Sequence, residues 1–347
     1  MSKTLYLHIG MPKCASTTIQ NVLQTHADEF AAHGKFYGRP ANDKTKEQQG
    51  NATRLADDFR NGKTDRVDDT LEFFLERDTD VILSSEVLVG LGNSVHAEAL
   101  VMRAAEKGFD TQIICYVRRQ DQWIESDYKQ HVKGISDWCE GIEALIARRA
   151  KTHVLDYHWL LERWARSVSR DNITVVPLRH GQGDLYALER FLAFLGMDPV
   201  LAAGLAEDRK NISPPVGLIE PMRFFKATLL AQGLRPSQAL AHLTRFRQEL
   251  EGRVPLPTRR FLQSLEQRRA LLEAYSASNK RLADDYLGGE PVFDSHLEDD
   301  PASAVPLAEE AARLLAEYIV SDKGKTDLFK DRLRAKIRRS LRFGRAG

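Results

Sequence analysis

The stretch that decides the fold stands near the start of the chain and reads Leu5-Tyr6-Leu7-His8-Ile9-Gly10-Met11-Pro12-Lys13-Cys14-Ala15-Ser16-Thr17-Thr18-Ile19-Gln20. It begins as a short apolar run, turns through glycine, proline and lysine, and continues into residues whose apolar side chains recur at helical spacing. This order predicts a strand, a tight loop and a helix. Backbone N–H groups at the start of such a helix, with Lys13 and the adjacent hydroxyls, favour a bound phosphate.

A second candidate anion site follows another predicted strand, residues 112–117. Arg118 comes directly after that strand, and Ser126 follows eight residues later. The planar guanidinium of an arginine can bind phosphate through two parallel hydrogen bonds. Without the first motif, a surface arginine beside Arg119 and a polar helical serine would be the simpler interpretation. Taken together, the two motifs indicate a nucleotide that carries phosphate at two places.

The first motif differs from the loop of nucleotide triphosphatases, G-x-x-x-x-G-K-[ST]. Ala15 stands where that loop has its second glycine, and no lysine directly precedes Ser16 or Thr17. The arrangement Pro12-Lys13-x-x-Ser16-Thr17 instead resembles the 5′-phosphosulfate loop of sulfotransferases that use 3′-phosphoadenosine 5′-phosphosulfate.

The resemblance to these sulfotransferases extends over roughly residues 4–288. Arg118 and Ser126 resemble the family's 3′-phosphate site, and residues 191–196 and 278–283 are similar to stretches of bacterial members. The resemblance implies a donor substrate, 3′-phosphoadenosine 5′-phosphosulfate. The residues themselves require no metal.

The donor site that the resemblance implies draws on residues that are far apart in the sequence. Its members are Lys13, Cys14, Ala15, Ser16, Thr17, Thr18, Arg118, Ser126 and Arg209. Lys13 is also expected to be catalytic, because it can neutralise the phosphate that leaves as the S–O bond breaks. Arg209 is expected in a basic lid over the 3′-phosphate, and a solvated loop is the equal alternative. At Cys14, a reactive thiol is an alternative that rests only on the helix N-terminus.

The acceptor hydroxyl needs a general base, because its proton must be removed in the transition state. In the family's small-molecule branch a histidine follows a middle strand, and Glu86 takes the comparable position after residues 80–84. We therefore expect Glu86 to be the base, although it could instead cap the next turn or pair with an arginine. His96 and His131 are the other candidates, and His8 is expected at the edge of the core.

Apolar runs alternate with helical patterns along the first half of the chain, which is typical of a parallel sheet with helices on both faces. We expect an α/β fold, a three-layer parallel sheet flanked by helices, with a mostly helical C-terminal half. Long helices are predicted over residues 261–287 and 307–319. Lys13, Glu86 and Arg118 each follow a different predicted strand, so they should meet at the carboxyl edge of the sheet, where such folds bind ligands.

The 347 residues, 42% of them hydrophobic, suffice for a sizeable core, and a formal net charge of +1 gives no signal for nucleic acid. We expect a sulfotransferase domain over residues 1–320 and a basic tail over residues 321–347, which holds ten Lys or Arg and three Asp. The tail could form an amphipathic helix on an anionic membrane, bind an acidic polymer or dock on the protein itself. Neither a signal peptide nor a membrane span is recognisable, which favours a cytoplasmic bacterial enzyme.

The function expected from these motifs is sulfuryl transfer from 3′-phosphoadenosine 5′-phosphosulfate to a hydroxyl of a carbohydrate or glycolipid. Two alternatives remain open. One is a phosphotransferase with an atypical phosphate loop, for which Glu86 would have to supply the carboxylate for Mg²⁺. The other is a nucleotide-binding protein without catalysis. Substrate pockets are built on folds by variable loops, so the acceptor cannot be named from the sequence.

Overall fold

A five-stranded sheet forms the centre of the fold in a computed structural model that describes residues 3–41, 43, 50–206, 214–251 and 260–300. The strands are β1 (Lys3–His8), β2 (Lys35–Phe36), β3 (Asp80–Ser84), β4 (Phe109–Arg118) and β5 (Ile173–Leu178). All neighbouring strands are parallel. The expected α/β class, a parallel sheet flanked by helices, is therefore confirmed.

The strand order, β2-β3-β1-β4-β5, places β1 at the centre of the sheet. The chain reaches β3 on one side of β1 and then crosses to β4 on the other side. In open parallel sheets the carboxyl ends of the strands at such a reversal border a crevice in which ligands bind. The loop that follows β1 therefore starts at the position of the sheet that is best suited to a ligand.

Helices fill most of the remaining described sequence. They are α1 (Ser16–Thr25), α2 (Ala27–Ala32), α3 (Thr53–Arg60), α4 (Thr64–Leu75), α5 (Val95–Glu106), α6 (Gln120–Lys133), α7 (Ile142–Lys151), α8 (Tyr157–Trp164), α9 (Tyr186–Phe194), α10 (Ala202–Leu205), α11 (Ile219–Ala231), α12 (Pro236–Glu251), α13 (Leu265–Ala274) and α14 (Ser276–Tyr286). In the part of the chain that the structure describes, no helix is long and apolar enough to cross a membrane.

The described residues divide into two compact units. The first contains those up to Trp123, those from Arg149 to Ala206 and those from Leu272 to Ser295, and it holds the whole sheet. The second contains the others, among them α11 and α12. The predicted helix over residues 307–319, the basic tail and Arg209 lie outside the described residues.

The prediction of one continuous helix over residues 261–287 is wrong. Two helices, α13 and α14, are separated at Tyr275, whose φ of −111° and ψ of 5° are not helical. The first predicted helix is likewise divided into α1 and α2 at His26, with φ of −109° and ψ of 27°. Neither break has a glycine or proline to mark it, because both residues have negative φ, which does not require glycine.

Candidate functional site

The loop between β1 and α1, residues 9–15, has an unusual backbone and is named here the anion loop. Lys13 and Ala15 both have positive φ, 67° and 62°. Left-handed residues other than glycine cost about 1–3 kcal/mol each and persist only where the surrounding structure holds them. Alternation of left- and right-handed residues turns successive backbone N–H groups toward one concavity that suits an anion.

The start of α1 adds donors to the anion loop. Ala15 is the N-cap of α1, and no side chain caps the helix there. The backbone N–H groups of Ser16, Thr17 and Thr18 lie in the first turn, where an α-helix provides no internal acceptor. The side chain of Ser16 is buried, that of Thr17 half-buried and that of Thr18 exposed. The arrangement is therefore a set of N–H and O–H donors at the positive end of a helix.

Lys13 adds a cation to this set of donors. Its side chain is half-buried. Among the residues that the structure describes, its ammonium forms neither a hydrogen bond nor an ion pair. A lysine held in a left-handed loop without a carboxylate partner is available to an incoming phosphate.

Glu86 lies two residues beyond β3 and contacts the anion loop's helix directly. The hydroxyl of Ser16 donates a hydrogen bond to Oε1 of Glu86. The backbone next to Glu86 is fixed, because the N–H of Ser85 donates to the carbonyl of His8 over 3.1 Å. The hydroxyl of Ser85 also bonds to that of Thr53, over 2.8 Å. The turn after β3 is thus tied both to β1 and to the start of α3.

Asn51 clamps the end of β3 from the other side. Its side chain is 1% exposed, and its Oδ1 accepts from the N–H of Ser84 over 2.8 Å. Its amide donates to the carbonyl of Ile82 over 2.9 Å and to that of Gly38 over 3.1 Å. All three partners are backbone groups, so the Asn51 side chain satisfies the hydrogen bonds that the backbone lacks where β3 ends. It thereby fixes the backbone that leads to Glu86.

The two arginines at the end of β4 have different environments. Arg119 is buried, and it pairs with Asp121 over 2.9 Å and with Asp294 over 3.0 Å. Arg118 is half-buried, and its Nε donates to Oε1 of Gln122 over 3.3 Å. Arg119 is therefore neutralised inside the protein, and Arg118 is the arginine that can bind an anion.

The register of the sheet sets the position of Arg118. His8, the last residue of β1, lies opposite Ile114 of β4. β4 continues for four residues beyond this pair, which is about 13 Å at roughly 3.3 Å per residue. β4 thus extends past the end of β1, next to the anion loop. The loop is joined to β4 by a hydrogen bond from the Ile9 N–H to the carbonyl of Ile114, 3.2 Å.

The charges of Lys13, Glu86 and Arg118 all act on the pKa of the buried Cys14 thiol. Burial is the largest influence and raises the pKa of Cys14 well above its usual value. The positive charges of Arg118 and Lys13 lower this pKa, whereas the negative charge of Glu86 raises it. All three charges therefore act on one buried sulfur. The alternative of a reactive thiol at Cys14 is wrong, because the side chain is fully buried and its thiolate is disfavoured.

His8 lies beneath the anion loop in an apolar setting. It is 1% exposed, and burial lowers its pKa to about 3, so the ring is neutral. Its Nδ1 is 2.8 Å from the hydroxyl of Ser84, and the rings of Tyr116 and Phe191 flank it at 5.6 Å. A side chain buried in this way supports the loop and is not exposed to a substrate.

The other predicted residues lie elsewhere. His96 packs against the ring of Phe59, with ring centres 5.4 Å apart. His131 belongs to the second unit, where its Nε2 is 3.7 Å from Asp127. Ser126 is half-buried on α6 and also belongs to the second unit, so its pairing with Arg118 stays a prediction.

Two buried aromatic residues at the site were not singled out in the sequence. The indole N–H of Trp123 donates to the carbonyl of Pro12 over 2.6 Å. The hydroxyl of Tyr157 donates to the carbonyl of Arg118 over 2.6 Å. Aromatic residues in apolar helices carry no sequence signal that separates such bonds from ordinary packing.

No family model matches the chain. The chain is 29% identical over 215 residues to an uncharacterized protein of Archaeoglobus fulgidus. The matched region covers 61% of this chain and 55% of the archaeal protein, so the chain spans about half the length of this relative. Since that protein is uncharacterized, the similarity carries no activity to this chain.

Proposed function

We propose that the protein is a sulfotransferase that moves a sulfuryl group from 3′-phosphoadenosine 5′-phosphosulfate to a hydroxyl of a carbohydrate or glycolipid. The observation that carries the proposal is the presence of two separate cationic positions at one sheet edge. Lys13 stands in a left-handed anion loop, and Arg118 stands at the end of the neighbouring strand β4. A nucleotide with phosphate at both its 3′ and 5′ positions would engage both.

The proposed reaction is a displacement at sulfur. The acceptor oxygen attacks the sulfuryl group, the bond from sulfur to the 5′-phosphate oxygen breaks, and adenosine 3′,5′-bisphosphate leaves with the electron pair. Transfer through such a loose, highly charged transition state depends on positioning and charge stabilisation. Lys13 and the N–H groups of residues 14–18 would stabilise the charge that grows on the 5′-phosphate. Arg118 would hold the 3′-phosphate, which does not react.

Glu86 is the proposed general base. One carboxylate oxygen, Oε1, accepts from Ser16, which orients the group beside the anion loop. The other oxygen, Oε2, would take the proton of the acceptor hydroxyl as the oxygen attacks. A base must reach that hydroxyl within about 2.6–3.2 Å, directly or through one water.

The same contact favours a second candidate, a phosphotransferase. A serine hydroxyl and a carboxylate beside a phosphate loop are oxygen donors of the kind that hold Mg²⁺ on a nucleotide. Ser16 and Glu86 provide this pair. In that case Glu86 would bind the metal through its carboxylate rather than accept a proton.

A label-transfer assay tests the proposal and separates the candidates. The protein is incubated with donor that carries a radioactive sulfuryl group and with panels of glycans and glycolipids, with and without EDTA. We expect label on an acceptor, one bisphosphate released per transfer, and no loss of rate with EDTA. Transfer from γ-labelled ATP that EDTA abolishes would instead establish the phosphotransferase. Tight binding of the bisphosphate without transfer to any acceptor would leave a nucleotide-binding protein.

A further inference from the structure

Two buried aromatic side chains hold backbone carbonyls at the two proposed phosphate sites. Trp123 and Tyr157 are each 1% exposed. Trp123 bonds to Pro12, the residue before Lys13 in the anion loop, and Tyr157 bonds to Arg118 itself, both over 2.6 Å. A buried N–H or O–H donor with one short, direct acceptor fixes the position of that acceptor.

Both aromatic residues lie at helix starts whose backbone is held by hydrogen bonds. Trp123 lies in the first turn of α6, and its own N–H donates to the carbonyl of Arg119 over 2.9 Å. Tyr157 is the first residue of α8, which Asp156 caps by accepting from the N–H of Trp159 over 2.9 Å. The two bonds therefore join rigid helix starts to the backbone that carries the anion sites.

A buried glutamine links these two helix starts. Gln120, fully buried, begins α6, and its amide donates to the carbonyl of Leu155, 3.3 Å away, just before α8. The same amide donates to Asn279 of α14 over 2.8 Å. In the segment from Arg118 to Trp123, the carbonyl of Arg118 is therefore bonded to Tyr157 of α8, and the indole of Trp123 is bonded to the anion loop.

We infer that Trp123 and Tyr157 are positioning residues that set the separation between the anion loop and Arg118. The inference rests on the proposed function, because it assigns to these two sites the two phosphates of one nucleotide. The ribose of adenosine 3′,5′-bisphosphate keeps its phosphates at a limited range of distances. If the two sites are held at the distance that separates the two phosphates, both phosphates bind without the entropy cost of ordering the protein.

The alternative is that both side chains only stabilise the core. Matched residues in the same unit allow the two interpretations to be distinguished. The hydroxyl of Tyr116 also donates to a backbone carbonyl, that of Ala187, over 2.7 Å. The indole of Trp164 donates to the carbonyl of Val89 over 3.2 Å. Neither of these bonds ends on the anion loop or on Arg118.

The experiment measures how much the 3′-phosphate improves binding. Calorimetry gives the Kd of AMP and the Kd of adenosine 3′,5′-bisphosphate, and their ratio is compared among wild type, Tyr157→Phe and Trp123→Phe. We expect both variants to lower the ratio about threefold to tenfold, which is the scale of one hydrogen bond. Tyr116→Phe and Trp164→Phe should leave the ratio within twofold of wild type, although they lose a bond of the same kind. Thermal unfolding of all variants measures the stability change.

Trp123→Phe also leaves a cavity, so a second variant is needed that keeps the shape of the indole and removes only its hydrogen bond. Replacement of Trp123 by benzothienylalanine retains the fused rings and removes only the N–H donor, so it should lower the ratio as Trp123→Phe does. An unchanged ratio in Tyr157→Phe and in this variant would overturn the positioning role. So would an equal fall of the ratio in the control variants. A wild-type protein that binds AMP and the bisphosphate equally would contradict the proposed function itself and, with it, this inference.

Discussion

The Ser16 hydroxyl donates a hydrogen bond to the Glu86 carboxylate and so connects the start of α1 to the turn after β3. The two residues are 70 positions apart in the chain. The bond brings an anionic side chain to a loop whose N–H groups and lysine favour anions. A bound phosphate would compete with the carboxylate for the same hydroxyl. In the proposed reaction, the Ser16–Glu86 contact would couple donor binding to the chemistry of Glu86.

Lys13→Ala and Arg118→Ala should impair the protein in different ways. Charge on the leaving 5′-phosphate grows only in the transition state, so loss of Lys13 should reduce kcat about 10²-fold or more. The 3′-phosphate keeps its charge throughout, so loss of Arg118 should raise the donor Kd about 10- to 100-fold with a smaller effect on kcat. Steady-state kinetics with the acceptor found by label transfer measures kcat, and calorimetry measures the donor Kd.

Charged residues of the same unit, outside the candidate site, provide the controls for these two variants. Lys107→Ala removes a lysine that pairs with Glu76, and Arg103→Ala removes an arginine that pairs with Asp68. Both should leave kcat and the donor Kd near wild type. A Lys13→Ala protein with normal kcat and only a raised donor KM would contradict the role given to Lys13.

Gly10 is expected to tolerate no side chain because of its neighbour His8. A Cβ on Gly10 would lie 2.7 Å from Nε2 of His8. The ring cannot move aside easily, since it is buried between Tyr116 and Phe191 and held by Ser84. Gly10→Ala should therefore destabilise the protein by about 1–3 kcal/mol, the usual cost of overpacking a core.

A double-mutant cycle checks the assignment of this strain to His8. His8→Ala removes the ring that the new Cβ would meet, so Gly10→Ala should cost clearly less in that background than in wild type. Denaturant unfolding of the four proteins gives the coupling free energy. Additive costs would place the clash elsewhere.

Glu125 in the second unit gives the stability of the protein a predictable pH dependence. Burial raises the pKa of Glu125 to about 7, although the charge of Lys129 and the N–H groups of Leu262 and Gln263 lower it. An unfolded glutamate loses its proton near pH 4.3. Between these values the native protein holds one more proton than the unfolded chain. This contribution to stability is complete below about pH 4 and is lost as the pH rises through 7.

Glu125→Gln removes the titration and keeps an oxygen that can accept from both backbone N–H groups. The variant should gain stability relative to wild type on going from pH 5 to pH 8, by a few kcal/mol at most. Denaturant midpoints at the two pH values measure this difference, and comparison with wild type cancels the opposite slope from His8, whose pKa is lowered. Glu98→Gln, at an exposed position, gives the background. Equal pH dependence in wild type and Glu125→Gln would show that Glu125 does not titrate in this range.

The sheet could be predicted because each long strand is a buried run between polar turns. β3 has the predicted bounds, residues 80–84, since a buried apolar run between polar residues leaves few alternatives there. The breaks at His26 and Tyr275 could not be predicted. Each is a change in backbone angles at a residue that would equally continue a helix.

At the site, the sequence indicates residue types but not their contacts. Lys13, Glu86 and Arg118 could be selected because each follows a strand, and parallel strands end at the same edge. Arg118 is selected because it directly follows a strand, and the buried ion pairs of Arg119 with Asp121 and Asp294 give a physical reason to prefer it to Arg119. Asp294 is 175 positions away, and no local pattern indicates such a partner.

Glu86→Gln is the most consequential test, because it separates the two candidate functions. The glutamine retains an oxygen that can accept from Ser16, but it cannot take a proton from the acceptor. Sulfuryl transfer should fall about 10²- to 10⁴-fold, the usual contribution of a general base. Binding of adenosine 3′,5′-bisphosphate should be unchanged or tighter, since a negative charge beside the phosphate is removed. If Glu86 binds Mg²⁺ instead, the variant should lose the Mg²⁺-dependent part of ATP binding.

Ser16→Ala is the matched variant for Glu86→Gln, because it breaks the same hydrogen bond and keeps the carboxylate. If the protein is a sulfotransferase, Glu86 keeps its carboxylate in this variant and loses the hydrogen bond that orients it. The rate should therefore fall by about tenfold or less, near the scale of one charge-assisted hydrogen bond. The ratio of the two rates is the decisive quantity. A Glu86→Gln protein as active as Ser16→Ala would transfer the role of base to another residue, whereas a gap of 10-fold or more in kcat at saturating donor assigns the proton to Glu86.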